Sequence, residues 1–324
     1  MRVMKTALVM HEACARHDTG WAHPEHQGRL PAILNALYRD TPMLINHVLQ
    51  VEAEMADESD VLRAHTPEHL ERLRRASREA LETGRIVELD SETLMSPASW
   101  DAAFGAAGAA ITATRLVLDG EAANAFALCR PPGHHATEDI AMGFCLINNV
   151  AVAARWARAQ GIDKVLIIDW DVHHGNGTQD IFYTDPNVYY LSLHQYPLYP
   201  NTGFVEERGL GAGIGTTRNV HVAAGTEGPA YLALFEDALS QTLAEFTPDL
   251  VFISAGFDCL RGDPLGGLRL EPEHLHAATR MIMGAAAESA HGRVVALLEG
   301  GYAPERVGHG VVDVMRAFAG LPPT

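Results

Sequence analysis

The sequence predicts a single α/β domain built on a parallel β-sheet. Short, apolar, β-branched runs alternate along the 324 residues with longer segments whose apolar side chains recur every three or four positions. This alternation is typical of strands joined by helices that cover both faces of a parallel sheet. The sequence contains no low-complexity linker, internal repeat or abrupt change of composition. We therefore expect one domain over residues 1–324.

Six apolar runs are predicted to be buried parallel strands, at residues 7–10, 125–128, 165–168, 188–191, 250–253 and 294–298. The clearest helical pattern lies between Trp100 and Val117, where the spacing predicts one apolar face. Further helices are expected at 151–159, 229–245 and 272–290. The glycine-rich segment 194–228 has no strand or helix period, so we interpret it as a long loop at the rim of a functional site.

Charge and composition limit the classes of partner. The chain has 24 Lys and Arg against 41 Asp and Glu, a formal net charge of −17 at pH 7, which repels nucleic acid and favours cationic partners. The sequence contains neither a signal-peptide pattern nor an apolar run of about 18 residues, so no membrane span is expected. The four cysteines are scattered without a CxxC pair, which fits a reducing compartment. We expect a soluble cytoplasmic protein.

The strongest chemical signal directly follows the apolar run at 165–168. Asp169, Asp171 and His173 occupy alternate positions there, so in an extended segment their side chains share one face at the carboxyl end of a strand. Open α/β sheets place their functional sites at this end. Two carboxylates and an imidazole that are buried together need a cation or hydrogen-bond donors to compensate them. A divalent metal meets that need.

Polar residues also end three other predicted strands. His134 and His135 follow the strand at 125–128, Asp258 follows the strand at 250–253, and the segment 299–302 follows the last one. The carboxyl ends of parallel strands share one edge of the sheet, so these four ends converge. A polar turn that caps the next helix would explain one such cluster, but not four together. The joint pattern predicts a functional site.

These residues have the chemistry of a hydrolytic metal site. Catalytic zinc takes three protein ligands and keeps one position open, and Asp171, His173 and Asp258 supply that count. The open position suits water and the carbonyl of a substrate amide. The histidine pair at 134–135 can transfer protons, and the phenol of Tyr302 can donate a hydrogen bond to a tetrahedral oxyanion.

Together, these motifs resemble the zinc-dependent histone deacetylases and their bacterial class II-like relatives, the deacetylase-like amidohydrolases and acetylpolyamine amidohydrolases. The resemblance covers nearly the whole chain. It rests on the order and spacing of short motifs, which are His23-Pro24-Glu25, Arg29-Leu30, 130–136, Gly143-Phe144-Cys145, 169–178, Gly256-Phe257-Asp258, 263–266 and Gly300-Gly301-Tyr302. It implies the arginase/deacetylase fold, which is a single eight-stranded parallel sheet with helices on both faces.

The resemblance implies that zinc binds Asp171, His173 and Asp258, although carboxylate and imidazole ligands also suit ferrous iron. Members of the family also bind monovalent cations, usually potassium, so potassium is expected at an inner and an outer site. The matching inner positions are Asp169, Asp171, His173, Ser192 and Leu193. The matching outer positions are Phe182, Asp185 and Val188.

For catalysis, the resemblance implies that His135 is the general base and later the general acid. It also implies that the buried carboxylate of Asp169 orients His134 and that Tyr302 polarises the substrate carbonyl. One position departs from the class I enzymes, in which an aspartate partners the second histidine, because Asn176 stands here as in class II-like members. A neutral amide stabilises an imidazolium less than a carboxylate does, so we expect class II-like behaviour.

The resemblance also implies a narrow substrate tunnel. Phe144 matches one aromatic wall, Tyr199 the other wall and Leu265 the rim, while Gly143 matches a residue whose carbonyl accepts the substrate amide hydrogen. An apolar slot between two rings suits the methylene chain of lysine or of a polyamine. The expected activity is removal of acetyl or related acyl groups from acyl-lysine in proteins or peptides.

Other functions remain as alternatives. Acetylated polyamines present the same amide on a similar stem, and acidic residues such as Glu206 and Glu207 suit either a polyamine or a basic peptide. Rim loops and homo-oligomerisation would decide between these substrates, and the lack of an obvious inserted loop favours acyl-lysine. A non-catalytic acyl-lysine-binding module is a more remote alternative, because His135 and Tyr302 are both present. A ureohydrolase, which shares the fold, is disfavoured because a further carboxylate after His173 is absent.

Overall fold

Eight parallel strands form the central sheet of the protein, which a computed structural model describes for residues 4–324. A further pair of two-residue strands, Val87–Glu88 and Leu94–Met95, forms a separate antiparallel ribbon. The predicted domain of residues 1–324 includes residues 1–3, which lie outside the described range. In chain order the strands are β1 (Thr6–Met10), β2 (Val48–Glu52), β3 (Val87–Glu88), β4 (Leu94–Met95), β5 (Asn124–Ala127), β6 (Val165–Asp169), β7 (Val188–Gln195), β8 (Thr217–Val222), β9 (Leu250–Ala255) and β10 (Val294–Leu298).

The order of strands in the sheet brings the predicted functional segments together. The order is β2-β1-β5-β10-β9-β6-β7-β8, and all neighbouring strands are parallel. The four strands that precede the polar motifs, β5, β10, β9 and β6, are therefore consecutive at the centre of the sheet. Every residue in these four strands is buried, so their carboxyl ends lie over the core of the molecule.

Two layers of helices cover the faces of the sheet. The helices are α1 (Arg29–Arg39), α2 (Thr41–Leu44), α3 (Glu58–Val61), α4 (Pro67–Thr83), α5 (Ser99–Leu118), α6 (Asn149–Ala159), α7 (Asn176–Phe182), α8 (Gly228–Glu245), α9 (Pro272–Ser289) and α10 (Pro304–Phe318). In one layer α5 packs on α6 and contacts β1, β5 and β10, and in the other α1, α10, α9 and α8 pack in that order.

Local sequence explains where several of these helices begin. The Thr66 hydroxyl accepts a hydrogen bond from the backbone N–H of His69 at the start of α4, and the Asn148 side chain caps α6 through Ala151 in the same way. Proline lies in the first turn of α4, α8, α9 and α10. A backbone N–H at this position has no acceptor within the helix, so its absence in proline costs no hydrogen bond. Within residues 4–324, none of the helices combines the length and the apolar character needed to span a bilayer.

The predicted α/β fold with an eight-stranded parallel sheet is confirmed, and all six predicted strands are present. Two strands of the central sheet escaped prediction, as did the two-residue strands β3 and β4. β2 is an edge strand whose residues are partly or fully exposed, so it has no apolar run, and β8 interrupts the segment 194–228 that was interpreted entirely as a loop. The prediction of one apolar face for α5 was also wrong, since 15 of its 20 residues are buried while Trp100 remains partly exposed.

Buried neutral histidines make the stability of the fold depend on pH. Burial lowers the pKa of His17 to about 4, and that of His65 and His194 to about 3. Below the ordinary histidine pKa of about 6.5, the unfolded chain therefore binds protons that the folded chain does not. Their contribution to stability is complete above that pH and declines as the pH falls from about 6.5 toward 4.

We predict that the free energy of unfolding in urea falls by about 1 kcal/mol per pH unit for each of these histidines between pH 6.5 and 5. His65→Gln tests one contribution, because glutamine can still accept the hydrogen bond that the backbone N–H of Asn148 donates to Nε2. In this variant the free energy of unfolding should change less steeply with pH, by the amount that the uptake of one proton on unfolding contributes. An unchanged slope would contradict the assignment of a neutral buried His65.

Candidate metal centre and active site

Three side chains from two central strand ends converge on one point. Asp171 and His173 follow β6 and Asp258 follows β9, and all three are buried. The Nδ1 atom of His173 lies 3.0 Å from Oδ1 of Asp171 and 3.3 Å from Oδ2 of Asp258. These are the metal-ligand residues predicted from the sequence, and one donor atom from each lies within 4.8 Å of the others.

The donor set fits a divalent metal. Ligands at about 2.0–2.1 Å from a tetrahedral zinc are about 3.3 Å apart, close to the separations between these donor atoms. Oδ2 of Asp258 is buried and has no hydrogen-bond partner within residues 4–324, which is costly for a carboxylate unless a cation binds it. Nitrogen and oxygen donors suit zinc and ferrous iron alike.

Two glycines leave room for the carboxylates of this triad. A Cβ atom on Gly300 would lie 2.2 Å from Oδ2 of Asp258 and 2.6 Å from Oδ2 of Asp171. A Cβ on Gly256 would lie 2.2 Å from the same oxygen of Asp171. The backbone N–H of Gly300 donates to that oxygen at 2.9 Å, and the N–H of Val172 donates to Oδ1 of Asp258 at 2.8 Å. The main chain thus approaches the carboxylates too closely for any larger residue.

The electric field of the site favours a positive charge at its centre. Burial alone would lower the pKa of His173, but its hydrogen bond with Asp171 and the negative charges of Asp258 and Asp171 raise it to about 10. Burial and the neighbouring charge of Asp171 raise the pKa of Asp258 to about 7. The carboxylates of Asp171 and Asp258 thus favour a positive charge between them, as expected of a site that binds a cation.

The paired histidines after β5 have different partners. Nδ1 of His134 lies 3.1 Å from Oδ2 of Asp169, and the Tyr190 hydroxyl donates to the same oxygen at 3.0 Å. Nδ1 of His135 lies 2.8 Å from Oδ1 of Asn176, the first residue of α7. Both pairings agree with the partners expected from the sequence. The strand β6 ends at Asp169 and the chain then turns, so the regular alternation assumed for 169–173 does not continue beyond that residue.

The pKa values of the two imidazoles are shifted in opposite directions. Burial would lower the pKa of His134, but the charges of Asp171 and Asp169 raise it to about 10. Burial lowers the pKa of His135 well below the ordinary value, and the positive charge of His134 lowers it further. His135 is therefore neutral near pH 7 and can accept a proton.

Glu299 holds the histidine pair in place through the main chain. It is fully buried at the end of β10, and its Oε2 accepts the backbone N–H groups of Gly133 at 2.7 Å and His134 at 3.1 Å. Its Oε1 accepts the hydroxyl of Ser254 at 3.0 Å. Sequence analysis gave Glu299 no role, although its position after a buried strand was the available signal.

A buried ion-pair cluster positions the segment that carries Tyr302. Oε1 of Glu25 accepts hydrogen bonds from Arg29 at 3.0 Å and Arg130 at 2.7 Å, and all three side chains are fully buried. Arg29 also donates to the main-chain oxygens of Gly301 and Glu299, both at 2.6 Å. Sequence analysis quoted these residues in motifs but gave them no function, because their contacts join distant parts of the chain.

Tyr302 lies beside the metal triad with a protonated phenol. Its backbone N–H donates to Oδ2 of Asp263 at 2.7 Å, and the guanidinium carbon of Arg29 is 5.2 Å from the centre of its ring. Burial and the charge of Asp258 raise the pKa of Tyr302 well above its usual value. Within the described residues its hydroxyl makes no hydrogen bond, so it is free to donate one to a ligand.

A cavity of about 450 Å³ leads to the metal triad. The ring of Tyr199 is 5.2 Å from the ring of His135, and the ring of Phe144 is 5.6 Å from that of Tyr302. The predicted residues in its lining are His135, Gly143, Phe144, His173, Tyr199 and Leu265. Of the other lining residues, His23 and Pro24 were quoted in a motif without a role, and sequence analysis missed Ser91, Glu92 and Leu198.

The wall at Gly143 and Phe144 has an unusual backbone. Both residues have positive φ, 55° and 67°, and a Cβ on Gly143 would lie 2.5 Å from the ring of His135. Left-handed backbone is costly for phenylalanine and persists only where the surroundings fix it. The Thr93 hydroxyl contributes to this by accepting the N–H of Phe144 at 3.2 Å.

The predicted cation positions fall into two separate groups. Asp169 and Ser192 are partners in the register between β6 and β7, so the inner positions lie together at the carboxyl end of the sheet. Val188 lies at the opposite end of β7. At the outer group, the Asp185 carboxylate accepts hydrogen bonds from Arg155 and Arg158 at 2.6 and 2.8 Å. Potassium at either group stays a prediction.

Comparison with known proteins agrees with this geometry. The domain family described as "Histone deacetylase domain" matches residues 23–318. A probable deacetylase from Archaeoglobus fulgidus is 39% identical over 302 residues, which are 93% of this chain and 82% of the relative. Chloroplastic histone deacetylase 10 of Oryza sativa is 38% identical over 313 residues, which are 93% of this chain and 70% of the relative.

A solved structure has the same fold. The crystal structure of the HDA15 HD domain superposes with a TM-score of 0.92 at 36% sequence identity, covering 99% of this chain and 90% of that one. The chain belongs to the histone deacetylase family, as the motifs predicted. Its fold is accordingly the arginase/deacetylase fold, and its class is that of the deacetylase hydrolases.

We predict that Gly300→Ala weakens metal binding at least tenfold, because its methyl group would displace the carboxylates of Asp171 and Asp258. Metal content after zinc loading and dialysis measures the effect. Gly284→Ala is the matched control, since a Cβ there meets no atom within 4 Å. Wild-type metal content in Gly300→Ala would contradict the assignment of the triad.

Proposed function

We propose that this protein is a metal-dependent deacylase that removes acetyl or related acyl groups from acyl-lysine in proteins or peptides. The observation that carries the proposal is the position of the Asp171, His173 and Asp258 triad at the end of an aromatic-walled cavity beside a neutral His135. Such a cavity admits a thin alkyl stem and brings its terminal amide to the metal ligands.

The walls of the cavity suit the side chain of acyl-lysine. Phe144, Tyr199 and Leu265 all line the cavity. Flat aromatic surfaces pack well against a chain of methylenes. In this proposal the main-chain carbonyl of Gly143, held by its left-handed backbone, accepts the amide hydrogen of the substrate.

In the proposed mechanism, Asp171, His173 and Asp258 would hold a metal, whose Lewis acidity would polarise the amide carbonyl and make a water molecule more acidic. His135 accepts a proton from water as the water oxygen bonds to the carbonyl carbon, and it passes a proton to the amide nitrogen as the C–N bond breaks, so that the amine and a carboxylate are released. Asn176 holds the His135 ring through Nδ1. Tyr302 donates a hydrogen bond from its free hydroxyl to the developing oxyanion. Asp169 orients His134, whose positive charge helps to stabilise negative charge near the amide.

Zinc is the metal we propose, with ferrous iron as the alternative, and potassium is proposed for the inner cation positions. The inner group includes the fully buried carboxylate of Asp169 and the fully buried side chain of Ser192. At the outer group the Asp185 carboxylate is already neutralised by two arginines. A cation there would depend on main-chain carbonyls, so the inner group is the better supported of the two.

Acetylated polyamines are a second candidate substrate, favoured by Glu92 at the cavity. Burial and the charge of Glu92 raise the pKa of Tyr199, so this carboxylate lies near the Tyr199 hydroxyl. In an acetylated polyamine with a four-methylene stem, the next ammonium falls where acyl-lysine has its Cα atom. Glu92 would then pair with that ammonium, whereas in a peptide it would accept a backbone N–H.

We predict that His135→Ala and Tyr302→Phe each keep the metal but lower kcat on an acetyl-lysine peptide, by about 10² to 10⁴-fold and 10² to 10³-fold respectively. Asp258→Ala should lose the metal as well as activity. Metal analysis alongside steady-state kinetics separates the two effects. Full activity of His135→Ala would overturn the mechanism, and a wild-type protein that binds metal without turnover would support an acyl-lysine-binding module instead.

We predict that the wild-type enzyme has a higher kcat/KM for an acetyl-lysine peptide than for an acetylated polyamine. Glu92→Gln should lower kcat/KM about tenfold for the polyamine but only about two- to threefold for the peptide, because a bond to an ammonium is worth more than one to a neutral N–H. Glu288→Gln, which changes an exposed carboxylate of α9 outside the lining, is the control. A strong wild-type preference for the polyamine would replace the proposed substrate.

A further inference from the structure

The cavity wall that carries Tyr199 belongs to a strained loop, residues 196–204, which we call the Tyr199 loop. Asn201 has a φ of 64° and Gly203 a φ of 80°, and the N–H of Asn201 donates to the carbonyl of Leu198 at 2.8 Å. A left-handed asparagine has an energetic cost, so the surrounding structure must hold the turn.

Two histidines from neighbouring strands hold the far end of the Tyr199 loop. The carbonyl of Gly203 accepts hydrogen bonds from Nε2 of His194 in β7, at 3.1 Å, and from Nε2 of His221 in β8, at 2.8 Å. Ser192 lies 2.9 Å from Nδ1 of His194 and can donate to it, which fits a proton on Nε2 of His194. The carbonyl of Gly203 thus accepts hydrogen bonds from side chains on two neighbouring strands, β7 and β8.

The residues on either side of Gly203 are also held. Nδ1 of His174 lies 2.8 Å from the hydroxyl of Thr202, and the Asn219 amide donates to the carbonyl of Phe204 at 3.3 Å. A Cβ on Gly203 would lie 2.6 Å from the ring of His174 and 2.7 Å from the ring of His194. The end of the Tyr199 loop therefore packs against the rings of His174 and His194.

His221 is the residue that contacts both ends of the Tyr199 loop. Besides its bond to Gly203, its ring stacks on Tyr196 with centroids 4.0 Å apart and planes at 8°. Beside it, the N–H of Tyr196 donates to the carbonyl of Val222 at 3.0 Å. His221 is only half-buried, and it neither lines the cavity nor belongs to the metal triad.

We propose that His221 is a positioning residue that sets the width of the substrate cavity by fixing both ends of the Tyr199 loop. This inference rests on the proposed function, because it assumes that the cavity receives an alkyl stem. His221 is remote from the reacting atoms, so its loss should weaken binding of the stem while the chemical step continues. The effect should appear in KM, and in the affinity of ligands that fill the cavity.

Two hydroxamates test this inference, since both bind a metal through the same group but differ in their stems. Octanoyl hydroxamate has an alkyl stem that would lie along the cavity walls, including Tyr199, whereas acetohydroxamate has only a methyl group in place of the stem. In the zinc-loaded protein, His221→Phe keeps the stacking on Tyr196 and removes the donor to Gly203. We expect it to weaken octanoyl hydroxamate about fivefold, the worth of about one hydrogen bond, and to raise the KM of an acetyl-lysine peptide similarly. Acetohydroxamate affinity and kcat should stay within twofold of the wild-type values.

Matched variants separate positioning from general destabilisation. His221→Gln retains a side-chain N–H donor for Gly203 but removes the stacking on Tyr196, so it should recover only part of the octanoyl hydroxamate affinity that His221→Phe loses. His276→Phe removes a comparable half-buried donor, whose Nε2 lies 2.8 Å from the carbonyl of Leu321, and should leave both affinities unchanged. Metal content and Tm are measured for every variant.

The outcomes distinguish this inference from the proposed function. If neither hydroxamate binds the zinc-loaded wild-type protein, the proposed metal-centred function fails. If both bind but His221→Phe leaves the ratio of their affinities unchanged, or weakens both equally, the positioning role of His221 is overturned while the proposed function stands.

Discussion

The burial of four acidic side chains at one edge of the sheet is the constraint on which the rest of the structure depends. Asp169, Asp171, Asp258 and Glu299 are each fully buried at the carboxyl ends of three adjacent strands, β6, β9 and β10. Several kcal/mol per charge are needed to remove carboxylates from water, unless donors or cations replace that water. Backbone N–H groups and histidines supply part of the compensation, yet one oxygen of Asp258 still has no donor among the described residues. Metal binding would complete the compensation, and so it would also stabilise the fold.

This constraint explains why the active-site segments are rich in glycine. A carboxylate can accept a main-chain N–H only if the chain approaches closely, and at Gly300 and Gly256 a Cβ would collide with the carboxylates that the chain surrounds. A Cβ on Gly175 would lie 2.3 Å from Oδ2 of Asp169 for the same reason. In the same segment the carbonyls of Glu299 and Gly301 accept hydrogen bonds from Arg29, which joins the Tyr302 segment to Glu25. The glycines are thus a consequence of charge compensation.

The sequence predicts the centre of the site better than its supports. Asp171, His173 and Asp258 could be found because each directly follows an apolar strand, and parallel strands must end together. The particular roles of His135, Tyr302 and the cavity walls came from the resemblance to a family, since spacing alone does not assign them. The Arg29 contacts escaped prediction because they join residues about 270 positions apart. Strand β8 escaped because half of its residues are only partly buried, which leaves no apolar run.

The active site combines a rigid edge with adjustable walls. The metal triad, His134 and His135 follow the buried central strands, where main-chain bonds fix their positions. The walls at Phe144 and Tyr199 instead lie in loops with left-handed residues that side chains from other elements hold. Chemistry therefore depends on contacts that cannot change without loss of the fold, whereas substrate fit depends on a few hydrogen bonds to loop carbonyls and amides. A single sheet edge can in this way retain one reaction while its loops determine which substrate is admitted.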